Sequence, residues 1–216
     1  VFIGPAAVTS ENISISNNRF SDIGNGDGTY EGAIALDIND PVINLKVDGN
    51  LINSPPTNGV YINSSGQLRV VSVSGNQIDT PTGNGIYVTV ATAAVVQCSI
   101  KNNMIRSASG SGVASIYVNT DAGLTDLEID NNNVAEGAST TASIHVRWDG
   151  VWTNGSVSNN TIGDSTAGAG IYLLCDAIDI PCGLLNVGVN GNRIKNSAAQ
   201  GIRVYGTTAS FTPSLD

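Results

Sequence analysis

Leu45-Lys46-Val47-Asp48-Gly49-Asn50-Leu51-Ile52 is the stretch from which the rest of the chain can be read. Its pattern is apolar-x-apolar-x-(Gly/Asn)-Asn-x-apolar. The same phrase returns at Ile13 to Phe20, Val71 to Ile78, Cys98 to Ile105, Leu127 to Val134, Val187 to Ile194 and, in a weaker copy, Gly155 to Ile162. The Asn in its sixth place is Asn18, Asn50, Asn76, Asn103, Asn132, Asn160 and Asn192, at intervals of 32, 26, 27, 29, 28 and 32 residues. A period of that size marks a chain built from stacked structural repeats.

A second phrase lies between the copies: Gly59-Val60-Tyr61-Ile62, Gly85-Ile86-Tyr87-Val88, Ile116-Tyr117-Val118, Ile144-His145-Val146, Gly170-Ile171-Tyr172-Leu173 and Gly201-Ile202-Arg203-Val204. Leu36-Asp37-Ile38 and Val1-Phe2-Ile3 are assigned to the same series. Both phrases alternate apolar and polar residues and are rich in Val and Ile, the signature of half-buried strands. Strands that recur in the same order, joined by Gly, Asn, Ser and Pro turns, predict an all-β parallel solenoid of about seven coils. At the inter-strand spacing, seven coils make a rod roughly 35 Å long. The recurring Asn is expected as a turn residue that tolerates the left-handed backbone region and bonds its equivalents in the coils on either side, as an Asn ladder.

Composition agrees and narrows the function. Only 12% of the 216 residues are charged, and the polar content is 25 Asn, 25 Gly and hydroxyls with just three Lys, which argues against helical bundles and coiled coils. Nine basic against eighteen acidic residues leave a net charge of −9. No cluster can neutralise phosphates, so neither nucleic acid nor an anionic membrane is the expected partner. The longest apolar run, Val88 to Cys98, is interrupted by Thr89, Thr92 and Gln97 and predicts no membrane insertion. The chain opens in mid-motif, and neither end carries a cap. We therefore expect one domain, residues 1–216, within a longer multidomain polypeptide.

The Asn phrase and the Gly-Ile-Tyr-Val phrase together resemble the right-handed parallel β-helix superfamily of pectate lyases, polygalacturonases and bacteriophage tailspikes and tail-fibre depolymerases. The resemblance covers almost the whole chain and implies a right-handed β-helix. The polygalacturonase set of Asn-Thr-Asp, Asp-Asp and Gly-His-Gly is absent from the sequence. The likeness to tailspikes implies a homotrimeric shaft at the virion surface, outside the cell, that binds and cleaves a bacterial surface polysaccharide. A non-catalytic structural or adhesive β-helix and a free-standing secreted lyase or epimerase are the alternatives.

The outward residues of the second phrase are expected to run Phe2, Asp37, Tyr61, Tyr87, Tyr117, His145, Tyr172 and Arg203, with Tyr205 two residues further on. Aromatic rings in a row suit the apolar faces of sugars, so Tyr61, Tyr87, Tyr117, Tyr172 and Arg203 are candidate substrate contacts. Stacked Tyr also stabilise a sheet by themselves. The first phrase presents Ser14, Lys46, Ser72, Ser99, Glu128, Ser156 and Gly188, a plain polar wall.

Three residues past the second phrase stand Asp121, Asp149 and Asp176 in consecutive coils, where other coils have Pro41, Ser65, Ala91 and Thr207. Carboxylates stacked one coil apart repel, which should raise the pKa of at least one and make it a general acid. A pair about one coil apart suits a retaining glycosidase. A cation bridging two of them and plain turn chemistry are the other readings. Around Asp149 lie the only His and both Trp: His145, Arg147, Trp148 and Trp152. An exposed His145 can serve as the base of an elimination with Arg147 neutralising a uronate carboxylate. Trp148 and Trp152, in the turn that follows, are expected to bind sugar.

No cofactor is expected. Calcium remains open, at the Asp column or at the carboxylate-bearing turn Ser21 to Glu31. Cys175 and Cys182 are close enough for a loop disulfide, and Cys98 occupies an inward place as a core thiol.

Overall fold

In the computed structural model, the described residues are 1–4, 10–21, 32–91, 95–108, 114–135, 141–164, 168–176 and 182–206. Among the described residues twenty-two strands form three parallel sheets, each sheet receiving every third strand. The first sheet holds β1 (Phe2–Ile3), β4 (Gly32–Ile38), β7 (Asn58–Ser64), β10 (Ile86–Val90), β13 (Ala114–Thr120), β16 (Ala142–Trp148), β19 (Ala169–Cys175) and β22 (Ile202–Gly206). The second holds β2 (Ser10–Ser16), β5 (Val42–Asp48), β8 (Leu68–Ser74), β11 (Val95–Lys101), β14 (Leu124–Asp130), β17 (Val151–Ser158) and β20 (Gly183–Gly188). The third holds the short β3 (Arg19–Phe20), β6 (Leu51–Asn53), β9 (Gln77–Asp79), β12 (Met104–Arg106), β15 (Asn133–Ala135), β18 (Thr161–Gly163) and β21 (Arg193–Lys195). This is the all-β parallel solenoid expected from the repeat.

Alternation explains the core. Within β13, Ile116, Val118 and Thr120 are buried while Tyr117 and Asn119 between them are not. The inward residues of successive coils stack, as in Val60, Ile86, Ile116, Ile144 and Ile171. Each such side chain contributes about 1.5–3 kcal/mol by leaving water. The core is therefore a column along the rod axis, and its length grows with each coil.

The turns locate the special residues one place away from where the sequence suggested. The left-handed residue is the fifth in the phrase, not the Asn: Asn17, Gly49, Gly75, Asn102, Asn131, Asn159 and Gly191 all have φ between 55° and 63°. Asn and Gly alternate there because both tolerate that region. The sixth-place Asn is buried at every coil from Asn50 to Asn160 and carries the ladder. Asn103 is typical. Its Oδ1 accepts from the Asn76 backbone N–H and side-chain Nδ2, both at 3.0 Å. Its own Nδ2 donates to Val73 O at 2.9 Å and to Asn132 Oδ1 at 3.0 Å. Every side-chain polar atom of a buried amide is thus satisfied, which is why no other residue serves there.

A second left-handed column, Asn12, Asn44, Val70, Gln97, Asp126, Asn154 and Asn186, bends each strand of the second sheet at its third or fourth residue. These residues drop out of the pairing register. The strand on either side of the bend stays paired, so the bends line up from coil to coil.

The weak copy of the phrase has a packing cause. Gly155 stands where other coils place Leu, Val, Ile or Cys, and a Cβ there would overlap the Trp152 indole. Trp152 fills that inward place, edge-on to Trp148 with ring centroids 5.5 Å apart. Both Trp are 0% exposed. They belong to strands β16 and β17 and to the core, which corrects their expected position in a ligand-binding turn.

Cys175 and Cys182 form a disulfide with Cα atoms 5.9 Å apart, closing the segment after β19. Cys98 is a buried free thiol, as its inward place implied, and burial pushes its pKa up to about 12. Of the turn Ser21 to Glu31 proposed for calcium, residues 22–31 lie outside the described residues, as does the position Thr207.

Candidate functional site

The aromatic column of the first sheet is continuous. Register pairs Tyr61 with Tyr87, Tyr87 with Tyr117, Tyr117 with His145, His145 with Tyr172, and Tyr172 with Arg203. Before Tyr61 the column continues to Ala35 and Phe2, so Asp37 is displaced from it by two residues. Asp37 belongs to the neighbouring outward column with Asn63, Thr89, Asn119, Arg147, Leu174 and Tyr205. The strand β4 carries three apolar inward residues, Ile34, Leu36 and Ile38, so its sequence permits either alignment. The pairing to β7 selects one.

The rings stack on one another. Tyr87 and Tyr117 lie 5.0 Å apart at 12°, Tyr117 and His145 4.9 Å at 17°, His145 and Tyr172 4.8 Å at 12°. Tyr61 tilts by 59° against Tyr87, and the Arg203 guanidinium covers the far face of Tyr172 at 4.7 Å. Ring faces are thus consumed along the rod axis by the coil repeat itself. What Tyr61, Tyr87 and Tyr117 turn outward is the ring edge with its hydroxyl, and Tyr172 is nearly covered at 8% exposure. A sugar can meet hydroxyls here but not the ring faces expected from the sequence.

His145 differs from its expected exposed position. It is 4% exposed, and neither ring nitrogen has a hydrogen-bond partner. Burial, with the Arg147 charge adding to it, lowers its pKa to about 4. It is a neutral, sandwiched imidazole at pH 7, a poor base with its nitrogens withheld from solvent. Burial likewise raises the Tyr117 hydroxyl to about 12, with the Tyr87 hydroxyl acting in the same direction.

The Asp column is gathered by one side chain. Arg147 Nη1 lies 2.9 Å from Asp121 Oδ1, Nε 3.0 Å from Asp176 Oδ2, and Nη2 3.9 Å from Asp149 Oδ1. Nη1 also donates to Asn119 Oδ1 at 2.7 Å. Asp121 and Asp176 reach Arg147 from the coils before and after it, and their backbone N–H groups hold the register by bonding Val90 O and Trp148 O. In this ladder of positions Asn39, not Pro41, is level with Ser65, since the two are one step beyond the paired Ile38 and Ser64. The guanidinium answers the repulsion expected between stacked carboxylates, and it stands where a bridging cation would. Burial opposes its charge, yet the hydrogen bonds to Asp121 and Asp176 hold the Arg147 pKa above its ordinary value.

Asp149 is left as the odd member. Its Oδ1 is buried without a hydrogen bond, and its side chain is 21% exposed. Burial raises its pKa; Arg147 pulls it down, and the Asp121 and Asp176 charges push it up. A partly buried carboxyl with a raised pKa beside two carboxylates held by Arg147 is a general-acid arrangement. Asn119 is the member of this cluster that sequence reading passed over. It was legible, because it occupies the same outward place in β13 as Arg147 in β16.

The second sheet is not the plain wall its Ser column suggested. Its lengthwise bend makes a cleft of about 720 Å³ reaching from Val70 in β8 to Asn186 in β20. Among the described residues no group of three or more His, Cys, Asp or Glu is arranged to hold a metal ion.

In comparison with known proteins, the family model described as right handed beta helix region matches residues 58–214. No curated protein and no solved structure matches the chain.

Proposed function

Because the chain belongs to the right-handed β-helix family, a fold suited to polysaccharide-related or structural work, we propose that this rod recognises and depolymerises a bacterial surface polysaccharide. The observation that carries the reading is the partly buried Asp149, its Oδ1 without a hydrogen bond, set beside Asp121 and Asp176 around Arg147. In this reading Asp149 as the acid donates a proton to the leaving glycosidic oxygen, and Asp121 or Asp176 either deprotonates a water that attacks the anomeric carbon or attacks that carbon itself, water then hydrolysing the glycosyl-enzyme ester with Asp149 taking up its proton. Arg147 fixes both carboxylates by direct contact. The hydroxyls of Tyr61, Tyr87 and Tyr117, with Arg203, line the approach along the first sheet. Hydrolysis is favoured over elimination because the one imidazole is buried with a pKa near 4. The reading extends to a homotrimeric, tailspike-like assembly displayed outside the cell on a virion, which a mass measurement of the full-length chain tests.

Incubation with a panel of capsular and O-antigen polysaccharides, following new reducing ends and the absorbance of a new carbon–carbon double bond, tests the chemistry. Reducing ends without the double bond are the expected result. Ends accompanied by the double bond would replace hydrolysis by elimination.

One observation favours a second reading, a structural or adhesive rod. The stacked ring faces and the Arg147 cluster both cross-link neighbouring coils, as staples of the solenoid would. A folded chain that cleaves no glycan supports it.

A further inference from the structure

The cleft of the second sheet lies on a different sheet from the Asp and Tyr residues and has no part in the chemistry above. It follows from the left-handed column. Each of β8, β11, β14, β17 and β20 turns at Val70, Gln97, Asp126, Asn154 and Asn186, and the bends align into one trough along the rod. Five strands at the inter-strand spacing span about 19 Å. One wall is formed by the bend residues, and the other by Ser72, Ser99, Glu128 and Ser156 two places later.

The lining combines side-chain amides and hydroxyls with the two carboxylates of β14 and the apolar Val70. Gln97, Ser99, Asn154 and Ser156 offer amides and hydroxyls, donor and acceptor alike, on a fixed coil repeat. Neither Lys nor Arg lines the cleft, while Asp126 and Glu128 stand at its centre on one strand. Asp126 has no hydrogen bond or ion pair among the described residues, whereas Glu128 is held by Lys101 at 2.5 Å. Anionic chains carrying uronate, phosphate or sulfate therefore meet like charge. An uncharged chain dense in hydroxyls meets amide and hydroxyl partners at Gln97, Ser99, Asn154 and Ser156. The exposed Val70 at one end supplies an apolar contact for a sugar's C–H face.

The geometry points to the second sheet as a binding groove for a neutral polysaccharide strand lying lengthwise along the rod. This rests on the polysaccharide reading but not on its cleavage chemistry. A groove remote from the carboxylates holds the chain without cutting it, so binding and cleavage separate by mutation.

Ser99→Lys and Ser156→Lys, singly and together, test it. The same outward column carries Lys46 in β5, so a long side chain is accommodated without loss of fold, which the thermal midpoint verifies. The probes are neutral O-antigen polysaccharides and acidic capsular polysaccharides, with affinities measured by calorimetry. The groove predicts that neutral probes bind at least tenfold more weakly to the double variant, and that Asp149→Asn leaves their binding unchanged. It also predicts that Asp126→Asn with Glu128→Gln lets acidic probes bind. Wild-type affinity in the folded double variant overturns the groove and leaves the cleavage reading standing. Loss of cleavage in Asp149→Asn with binding lost as well places the glycan on the first sheet and overturns the groove. No binding of any probe removes both.

Discussion

The Trp152 indole occupies the inward place that Gly155, three residues later in the same strand, leaves without a side chain. The two residues are one unit of core packing. Gly155→Ala drives a methyl into the indole and against Leu127 O, and it should destabilise the fold by about 1–3 kcal/mol. Gly155→Val restores the residue class of the repeat and should cost more. Combining it with Trp152→Leu recovers much of the loss, a coupling that a double-mutant cycle in urea measures.

The ladder yields a graded series. Asn103→Ala removes the acceptor for two donors of Asn76 and leaves Val73 O and Asn132 Oδ1 each short of a donor, all inside the rod. A loss of about 3 kcal/mol is expected from the unsatisfied groups. Asn192→Ala, in the last ladder position and more exposed, should cost clearly less. Chemical denaturation of both variants gives the comparison.

Much of this architecture was legible in the repeat, and the reasons differ by residue. The seven Asn mark coil, sheet order and ladder because a buried amide with fixed partners tolerates no substitute. Tyr61 to Arg203 fell into one column because strand register follows strictly from period two. Trp148 and Trp152 did not, since a Trp beside a Gly reads as a turn until the Gly is recognised as the hole the indole fills. His145 reads as exposed because alternation gives the direction of a side chain and not what stacks on either side of it. The cleft was hidden for a similar reason: left-handed φ at Gln97 or Val70 has no signature in those residue types, and only the recurring Asn12, Asn44, Asn154 and Asn186 hint at it.

Val70 is the outlier of that column. A β-branched residue at φ 55° is held in a region that costs L side chains about 1–2 kcal/mol. Four of the six other positions carry Asn. Val70→Asn should therefore raise stability by about 1 kcal/mol, read as a higher denaturant midpoint at unchanged slope.

The buried imidazole gives the fold a pH dependence. Its folded pKa, about 4, lies below the unfolded value of 6.5. The unfolded chain thus binds a proton first on acidification. The stability contributed by neutral His145 is fully present above pH 6.5 and is lost as pH falls toward 4, by about 3 kcal/mol. Asp149, with its pKa raised, acts in the opposite sense as its proton is bound more readily in the folded state. His145→Tyr and His145→Gln should each flatten the slope of stability against pH between 6.5 and 4, whatever their effect at pH 7. Unfolding curves at several pH values test the difference.

The most direct test of the central claim pairs wild type with Asp149→Asn on one glycan that the wild type cleaves. Asp149 is only lightly tied to Arg147, at 3.9 Å, so the amide should preserve the fold and the Arg147 contacts to Asp121 and Asp176. The account predicts unchanged glycan affinity with cleavage reduced at least a hundredfold, the scale of a lost general acid. Full cleavage by Asp149→Asn, in a variant of wild-type stability, would contradict it.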